Sequence, residues 1–160
     1  IAEDLGEITP DVHALRDKFA LPGMHVMQFA FDGDPANLHL PGNFRANAVA
    51  YLGTHDNDTT FGWYESLGED LRRRVLDVVG RDEPVCRATI RAVYRSPARL
   101  AVVPMQDVLG LGSDARMNVP GRAESNWEWR AAPGAFDDET AAVLRRLAGE
   151  TGRQAAAAAR

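Results

Sequence analysis

Short apolar runs separated by glycine, proline and acidic residues make up the first 64 residues of the chain. Thr9-Pro10-Asp11 is typical of a helix start, because it offers a hydroxyl cap, a proline at the first helical position and an acid in the first turn. Leu21-Pro22-Gly23 then predicts the end of that helix. The apolar runs 24–31 and 48–52 have the length of strands. Between the cap and the stop, apolar side chains recur at helical spacing: Val12, Leu15 and Phe19.

The stretch from about residue 65 to 99 is predicted to be helical, because its apolar positions form two stripes. A strand at 100–103, predicted to be buried, follows. The order strand, helix, strand favours an α/β fold with a parallel sheet covered by helices. The two stripes are Leu71, Val75, Val78 and Val79, then Ile90, Val93 and Tyr94.

The last part of the chain is predicted to be a long loop over 110–134 and a helix over about 138–149. The final residues, 151–160, contain five consecutive alanines and are predicted to be a low-complexity tail that frays. The predicted domain therefore spans residues 1–150.

Composition excludes several classes of protein. Hydrophobic residues are 45% of the chain and charged residues 26%, as in a globular protein. No stretch approaches the ~20 apolar residues that span a bilayer, so no membrane partner is expected. The net charge of −5 argues against nucleic-acid binding. Cys86 is the only cysteine, which excludes an internal disulfide and favours a cytoplasmic location.

Polar residues gather where the predicted strands end. Asp32-Gly33-Asp34 and His55-Asp56-Asn57-Asp58 each follow a strand, and Glu3-Asp4 opens the chain. In parallel α/β folds the loops after the strands build the site, so these acids are candidates for acid–base chemistry. Each also has a structural interpretation, since a loop Asp is more often a turn or cap residue. Trp127 and Trp129, two residues apart, could form an edge on which a sugar stacks, but by themselves they are predicted to be core residues.

No metal or nucleotide motif is found. The run 32–37 is similar to the start of a calcium loop, but position twelve is Asn43, where a Glu is needed. The chain has no His-Glu-x-x-His, Cys-x-x-Cys, Gly-x-x-x-x-Gly-Lys or Gly-x-Ser-x-Gly. We therefore expect neither a metal nor a cofactor.

An ordered set of motifs over residues 1–150 resembles the 4-α-glucanotransferases, the amylomaltase or disproportionating-enzyme family (glycoside hydrolase family 77). Each motif is weak alone, and their shared order makes the resemblance specific. The motifs are Glu3-Asp4-Leu5-Gly6, Leu21-Pro22-Gly23-Met24, Gln28-Phe29-Ala30-Phe31-Asp32, Gly53-Thr54-His55-Asp56-Asn57-Asp58-Thr59-Thr60, Pro104-Met105-Gln106-Asp107-Val108-Leu109-Gly110-Leu111-Gly112, Arg116-Met117-Asn118-Val119-Pro120-Gly121 and Asn126-Trp127-Glu128-Trp129-Arg130.

The resemblance implies the C-terminal portion of a (β/α)₈ TIM barrel, from the end of strand five through strand eight with their helices. It implies transfer of α-1,4-glucan segments between maltooligosaccharides with retention, without a cofactor. Glu3 matches the general acid/base and Asp56 the carboxylate that stabilises the transition state. His55, Asp32 and Asn118 match positions near bound glucan.

The family's nucleophilic Asp follows the fourth barrel strand, and no residue here replaces it. Together with Ile1 in place of Met, this predicts that the chain begins inside a larger gene product, whose upstream part is its partner. We expect the isolated chain to be inactive and to self-associate through its open sheet edge. A non-catalytic glucan-binding module and an inactive barrel fragment are the alternative interpretations.

Overall fold

A three-stranded parallel sheet forms the centre of the fold in a computed structural model, which describes residues 1–154. The strands are β1 (Gly23–Val26), β2 (Ala48–Tyr51) and β3 (Leu100–Val102), in the spatial order β1-β2-β3. Both neighbouring pairs are parallel, with His25 beside Ala50 and Ala50 beside Ala101. The predicted α/β fold with a parallel sheet is therefore confirmed.

Six helices accompany the sheet among the described residues. They are α1 (Pro10–Lys18), α2 (Thr60–Ser66), α3 (Glu69–Val79), α4 (Val85–Arg95), α5 (Met105–Val108) and α6 (Asp138–Glu150). The helix predicted at 138–149 forms as α6, and the Asp137 carboxylate accepts a hydrogen bond from Thr140 N–H at its start. α1 also forms as predicted, although the Thr9 side chain makes no capping hydrogen bond.

The core lies on one face of the sheet, between the strands and the helices α3, α4 and α6. Ala50 in β2 is fully buried there and belongs to the same core cluster as side chains of α3, α4 and α6. Alternate strand residues point to opposite faces, so Tyr51 and its neighbours in register lie on the other face. The fully buried apolar side chains of these helices are Val75, Ala88, Val93 and Leu147.

Two strand predictions are corrected by the structure. The run 24–31 is a strand only as far as Val26 and then turns into a 3₁₀ helix, Met27–Phe29, while Gln28 N–H donates to the Leu52 carbonyl. β3 forms, but it is not buried, because Leu100 is 55% and Val102 44% exposed. β3 is an edge strand of the sheet.

The predicted loop over 110–134 is mostly irregular, with one 3₁₀ turn at Ser113–Ala115. Beyond α6, the Arg153 guanidinium donates to the carbonyls of Ser96 and Ala98, both at 2.8 Å, just after α4. The alanines of the predicted tail, from residue 155, lie outside the described residues. No helix in the described part of the chain is long and apolar enough to cross a membrane.

Candidate active site

A cavity of about 510 Å³ opens on the sheet face away from the helix-packed core. Its walls come from the chain start, from all three strands or the loops that follow them, and from the long loop after α5. Active sites of parallel α/β folds form at such strand ends. The lining residues that carry chemistry are Glu3, His55, Asp56, Asp58, Asp107, Arg116 and Trp127.

The loop 54–59 after β2 presents Asp56 and has a tightly determined shape. Thr54 donates to the Asn57 Oδ1 atom from both its N–H and its hydroxyl, each at 2.9 Å. Thr59 ends the loop, and its hydroxyl accepts from Gly62 N–H at 3.1 Å as the cap of α2. Glycine at position 53 keeps the chain clear of the loop, because a Cβ there would lie 2.9 Å from the Asn57 Cβ atom. The loop therefore holds a fixed conformation between β2 and α2.

The long loop after α5 holds Asp56 at two points. The Asn118 amide donates to Asp56 Oδ1 at 2.6 Å, and Arg116 Nη2 donates to the Asp56 carbonyl at 2.6 Å. Arg116 Nε also donates to the Asn118 carbonyl at 2.8 Å, which joins the two contacts. The Asp56 side chain is nevertheless 49% exposed, so it remains accessible from the cavity.

His55 lies beside Asp56 on the cavity wall, with 3.4 Å between His55 Nε2 and Asp56 Oδ1. Its ring also faces Trp127, at 5.2 Å between centroids and with a 35° tilt. The prediction that Trp127 is a core residue is wrong: it lines the cavity and is 54% exposed. Trp129 is half-buried rather than part of the core.

Glu3 lines the same cavity from the chain start, and Asp4 anchors the segment that carries it. Asp4 Oδ1 accepts from Met24 N–H at 2.7 Å in β1, and Asp4 Oδ2 pairs with the buried Arg16 of α1. Ala2 N–H adds a bond to the Pro22 carbonyl at 2.8 Å. The segment is therefore fixed to the start of β1.

The charge of Asp4 is engaged in this anchor. Burial alone would raise the pKa of Asp4, but the Met24 N–H and the Arg16 guanidinium outweigh it and hold that pKa below its usual value. Asp4 follows Glu3 in the sequence, but its charge is compensated by the Arg16 guanidinium.

Asp107 is a buried acid of the cavity that sequence reasoning did not single out. Its side chain is 1% exposed and accepts from Thr60 N–H at 2.7 Å, at the start of α2. Burial, with a smaller contribution from Asp58, raises the pKa of Asp107 to about 6. Asp58 in turn accepts from the Ser113 hydroxyl at 2.7 Å. In the sequence, Asp107 is distinguished only as the acid of the motif 104–112, which follows β3.

The five predicted site residues are not all brought together. Glu3, His55 and Asp56 line the cavity, and Asn118 reaches it through its bond to Asp56. Asp32 does not line it: this exposed carboxylate accepts from Asp34 N–H and from the Asn37 amide, both at 2.9 Å. Within residues 1–154, no cluster of three His, Cys, Asp or Glu side chains is arranged to hold a metal ion.

Comparison with known proteins agrees with this geometry. The family model for 4-α-glucanotransferase, glycoside hydrolase family 77, matches residues 1–135. A 4-α-glucanotransferase of Synechocystis sp. is 52% identical over 86% of this chain, and that of Thermus thermophilus is 50% identical over 96%. The chain spans 28% and 32% of these two relatives.

A solved structure shows the same likeness in three dimensions. Amylomaltase from Streptococcus agalactiae in complex with acarbose superposes with a TM-score of 0.92 and 30% identity, over 96% of this chain and 32% of that one. The family model covers most of the chain, and the relatives agree with it along the same residues. The chain therefore belongs to the 4-α-glucanotransferase family, glycoside hydrolase family 77.

Proposed function

We propose that this chain is the C-terminal part of the catalytic barrel of a 4-α-glucanotransferase. The longer enzyme would transfer α-1,4-glucan segments between maltooligosaccharides with retention, in the cytoplasm. One observation carries the proposal: Glu3 and Asp56, which come from segments far apart in sequence, line a single cavity at the strand ends. The acarbose complex of the Streptococcus agalactiae amylomaltase supports a glucan-like ligand for this family.

In this proposal β1, β2 and β3 are barrel strands six, seven and eight, and residues 1–5 follow strand five. The parallel order β1-β2-β3 supports the assignment. So does the bond from Ala2 N–H to Pro22, which places the chain start beside β1. The remaining strands would lie in an upstream part of the same enzyme, which is the partner that we propose for this chain.

Glu3 is proposed as the general acid/base. A retaining transfer needs an acid that protonates the leaving glycosidic oxygen and then, ionised, takes the proton of the acceptor hydroxyl. Glu3 is exposed to the cavity on a segment that Asp4 anchors, so its carboxyl can reach substrate from a fixed backbone. The nucleophile must lie about 5 to 5.5 Å from this carboxyl, and we place it in the upstream part.

Asp56 is proposed to stabilise the transition state. Asn118 occupies Asp56 Oδ1, while Oδ2 receives no hydrogen bond from residues 1–154 and is available to sugar hydroxyls. Such bonds tighten as the sugar ring distorts, so they favour the transition state over bound substrate. His55 would bind a neighbouring hydroxyl, and Asn118 would orient Asp56 while it contacts glucan. Contact with Asp32 requires a glucan that extends beyond the cavity.

The test uses a chimaera in which this chain replaces the matching segment of the Thermus thermophilus relative. The unmodified chimaera should convert maltotriose into longer and shorter oligosaccharides. Glu3→Gln keeps the shape but cannot shuttle a proton, so the rate should fall by about 10² to 10⁴. Glu7→Gln is the matched control, since Glu7 is exposed and outside the cavity lining. Near-normal transfer by Glu3→Gln would remove Glu3 from the acid/base role.

Two further variants separate the proposed roles. Asp56→Asn should lower kcat far more than it raises KM, because its bonds strengthen in the transition state. Asp34→Asn is its control, as an exposed loop acid outside the cavity lining. His55→Ala should be milder, since a neutral hydrogen bond contributes about 0.5–1.5 kcal/mol. Weakened binding with unchanged turnover in Asp56→Asn would make Asp56 a substrate ligand only.

A further inference from the structure

Trp127 is the largest exposed aromatic side chain of the cavity. The roles proposed for Glu3 and Asp56 do not account for its exposure. The indole is 54% exposed and tilts against the His55 ring at 5.2 Å. Residues 1–154 leave a large apolar surface of this tryptophan unburied on the cavity wall. That surface points to a ligand with an apolar face of its own.

The backbone holds this ring in an uncommon conformation. Trp127 has φ +64°, in the left-handed region that bulky residues rarely adopt. Its N–H donates to the Met117 carbonyl at 2.7 Å, and its carbonyl accepts from Arg130 Nη1 at 2.9 Å. Contacts on both sides of the residue therefore maintain a strained conformation that places the ring on the cavity wall.

The loop that positions Trp127 also positions Asp56. Asn126, next to Trp127, accepts from Val119 N–H at 2.8 Å and donates to the Arg122 carbonyl at 2.9 Å. Val119 follows Asn118, whose amide binds the Asp56 carboxylate. The positions of the indole ring and of Asp56 are therefore linked through one hydrogen-bonded loop.

We propose that Trp127, packed against His55, is a platform for the apolar face of a glucose ring in the α-1,4-glucan bound beside Asp56. A pyranose ring has C–H groups on its faces and hydroxyls at its rim. Its face can therefore stack on an indole while its hydroxyls reach Asp56. This inference rests on the proposed glucan transfer. It gives Trp127 the role of setting the affinity for the glucan. Such stacking is similar in ground and transition states, so it lowers KM and leaves kcat nearly unchanged.

The decisive variant is Trp127→Gly in the same chimaera, because glycine accepts a positive φ without strain and the loop should keep its shape. Trp127→Phe keeps an aromatic face, and Phe136→Ala removes an exposed aromatic that does not line the cavity. We expect Trp127→Gly to raise KM for maltotriose about 10-fold with kcat within about 3-fold. Trp127→Phe and Phe136→Ala should both stay close to the unmodified KM.

The outcomes separate this inference from the proposed function. An active chimaera that depends on Glu3, but whose KM is unchanged in Trp127→Gly, overturns the platform and leaves the transferase intact. An equal loss in kcat, with a lowered melting temperature, would make Trp127 a structural residue and also overturn it. An unmodified chimaera without transfer overturns both proposals. A raised KM with a preserved melting temperature and kcat supports the platform.

Discussion

Asp107→Asn should stabilise this chain at neutral pH, although it removes a buried hydrogen-bonded carboxylate. Burial raises the pKa of Asp107 to about 6, against 3.8 for an unperturbed Asp. A raised pKa means that the folded chain holds its proton more tightly than the unfolded chain does. The stability that this tighter proton binding contributes is fully present below pH 3.8 and is lost as the pH rises through 6. Above pH 6 the ionised carboxylate is therefore a net cost to folding.

The size of this cost follows from the shift. About two pKa units correspond to roughly 3 kcal/mol at 1.36 kcal/mol per unit. Asn keeps an acceptor oxygen for Thr60 N–H, and the shift already includes the stronger bond that the ionised carboxylate accepts from that group. We expect Asp107→Asn to raise the free energy of unfolding by up to about 3 kcal/mol at pH 8 and to have no stabilising effect at pH 3.8.

Urea unfolding of the chain, followed by tryptophan fluorescence at the two pH values and one protein concentration, measures this difference directly. Asp114→Asn is the control for the removal of one acid, since Asp114 is exposed. A destabilised Asp107→Asn at pH 8 would refute the reasoning, as would a difference that does not change between pH 8 and pH 3.8. The first result would mean that the ionised carboxylate stabilises the start of α2 by more than its burial costs.

Other predictions concern the anchor, the buried histidine and the isolated chain. Gly23→Ala should destabilise the chain by about 1–3 kcal/mol in urea, because its Cβ would lie 2.5 Å from Asp4 Oδ2, whereas Gly42→Ala meets no atom within 4 Å. Burial, with the nearby charges of His39 and Arg45, lowers the pKa of His25 to about 4. The free energy of unfolding should therefore fall by up to about 3 kcal/mol as the pH is lowered from 6.5 to 4. In His25→Leu it should change less over this pH range. The isolated chain should not disproportionate maltotriose and should self-associate in sedimentation experiments, while an active monomer would contradict both expectations.

Local sequence signals predicted the elements of the fold well. The proline and acid after Thr9 marked the start of α1, and the apolar stripe of α4 became its buried face. Each of these signals involves only a few neighbouring residues. The same is true of the spacing of apolar residues, which distinguishes strands from helices. Polar residues that the sequence places at strand ends, among them Glu3 and Asp56, line the cavity.

Interactions between distant residues could not be predicted in the same way. Asp107 binds Thr60 across 47 positions, and no spacing in the sequence signals that pair. The exposure of Trp127 likewise depends on a left-handed backbone fixed by Met117 and Arg130. Asp32 shows the reverse case, because a carboxylate that followed a predicted strand stabilises its own turn.

The central claim is that Glu3 is the acid/base of a site whose nucleophile lies outside this chain. It is tested most directly by trapping the covalent intermediate in the Glu3→Gln chimaera. An α-maltosyl fluoride donor needs no acid to release fluoride, so the glycosyl-enzyme should form, and it should persist because no base activates the acceptor. Peptide mass spectrometry should then find the added sugar on an Asp of the upstream part. A sugar attached to any carboxylate within residues 1–160 would contradict the account.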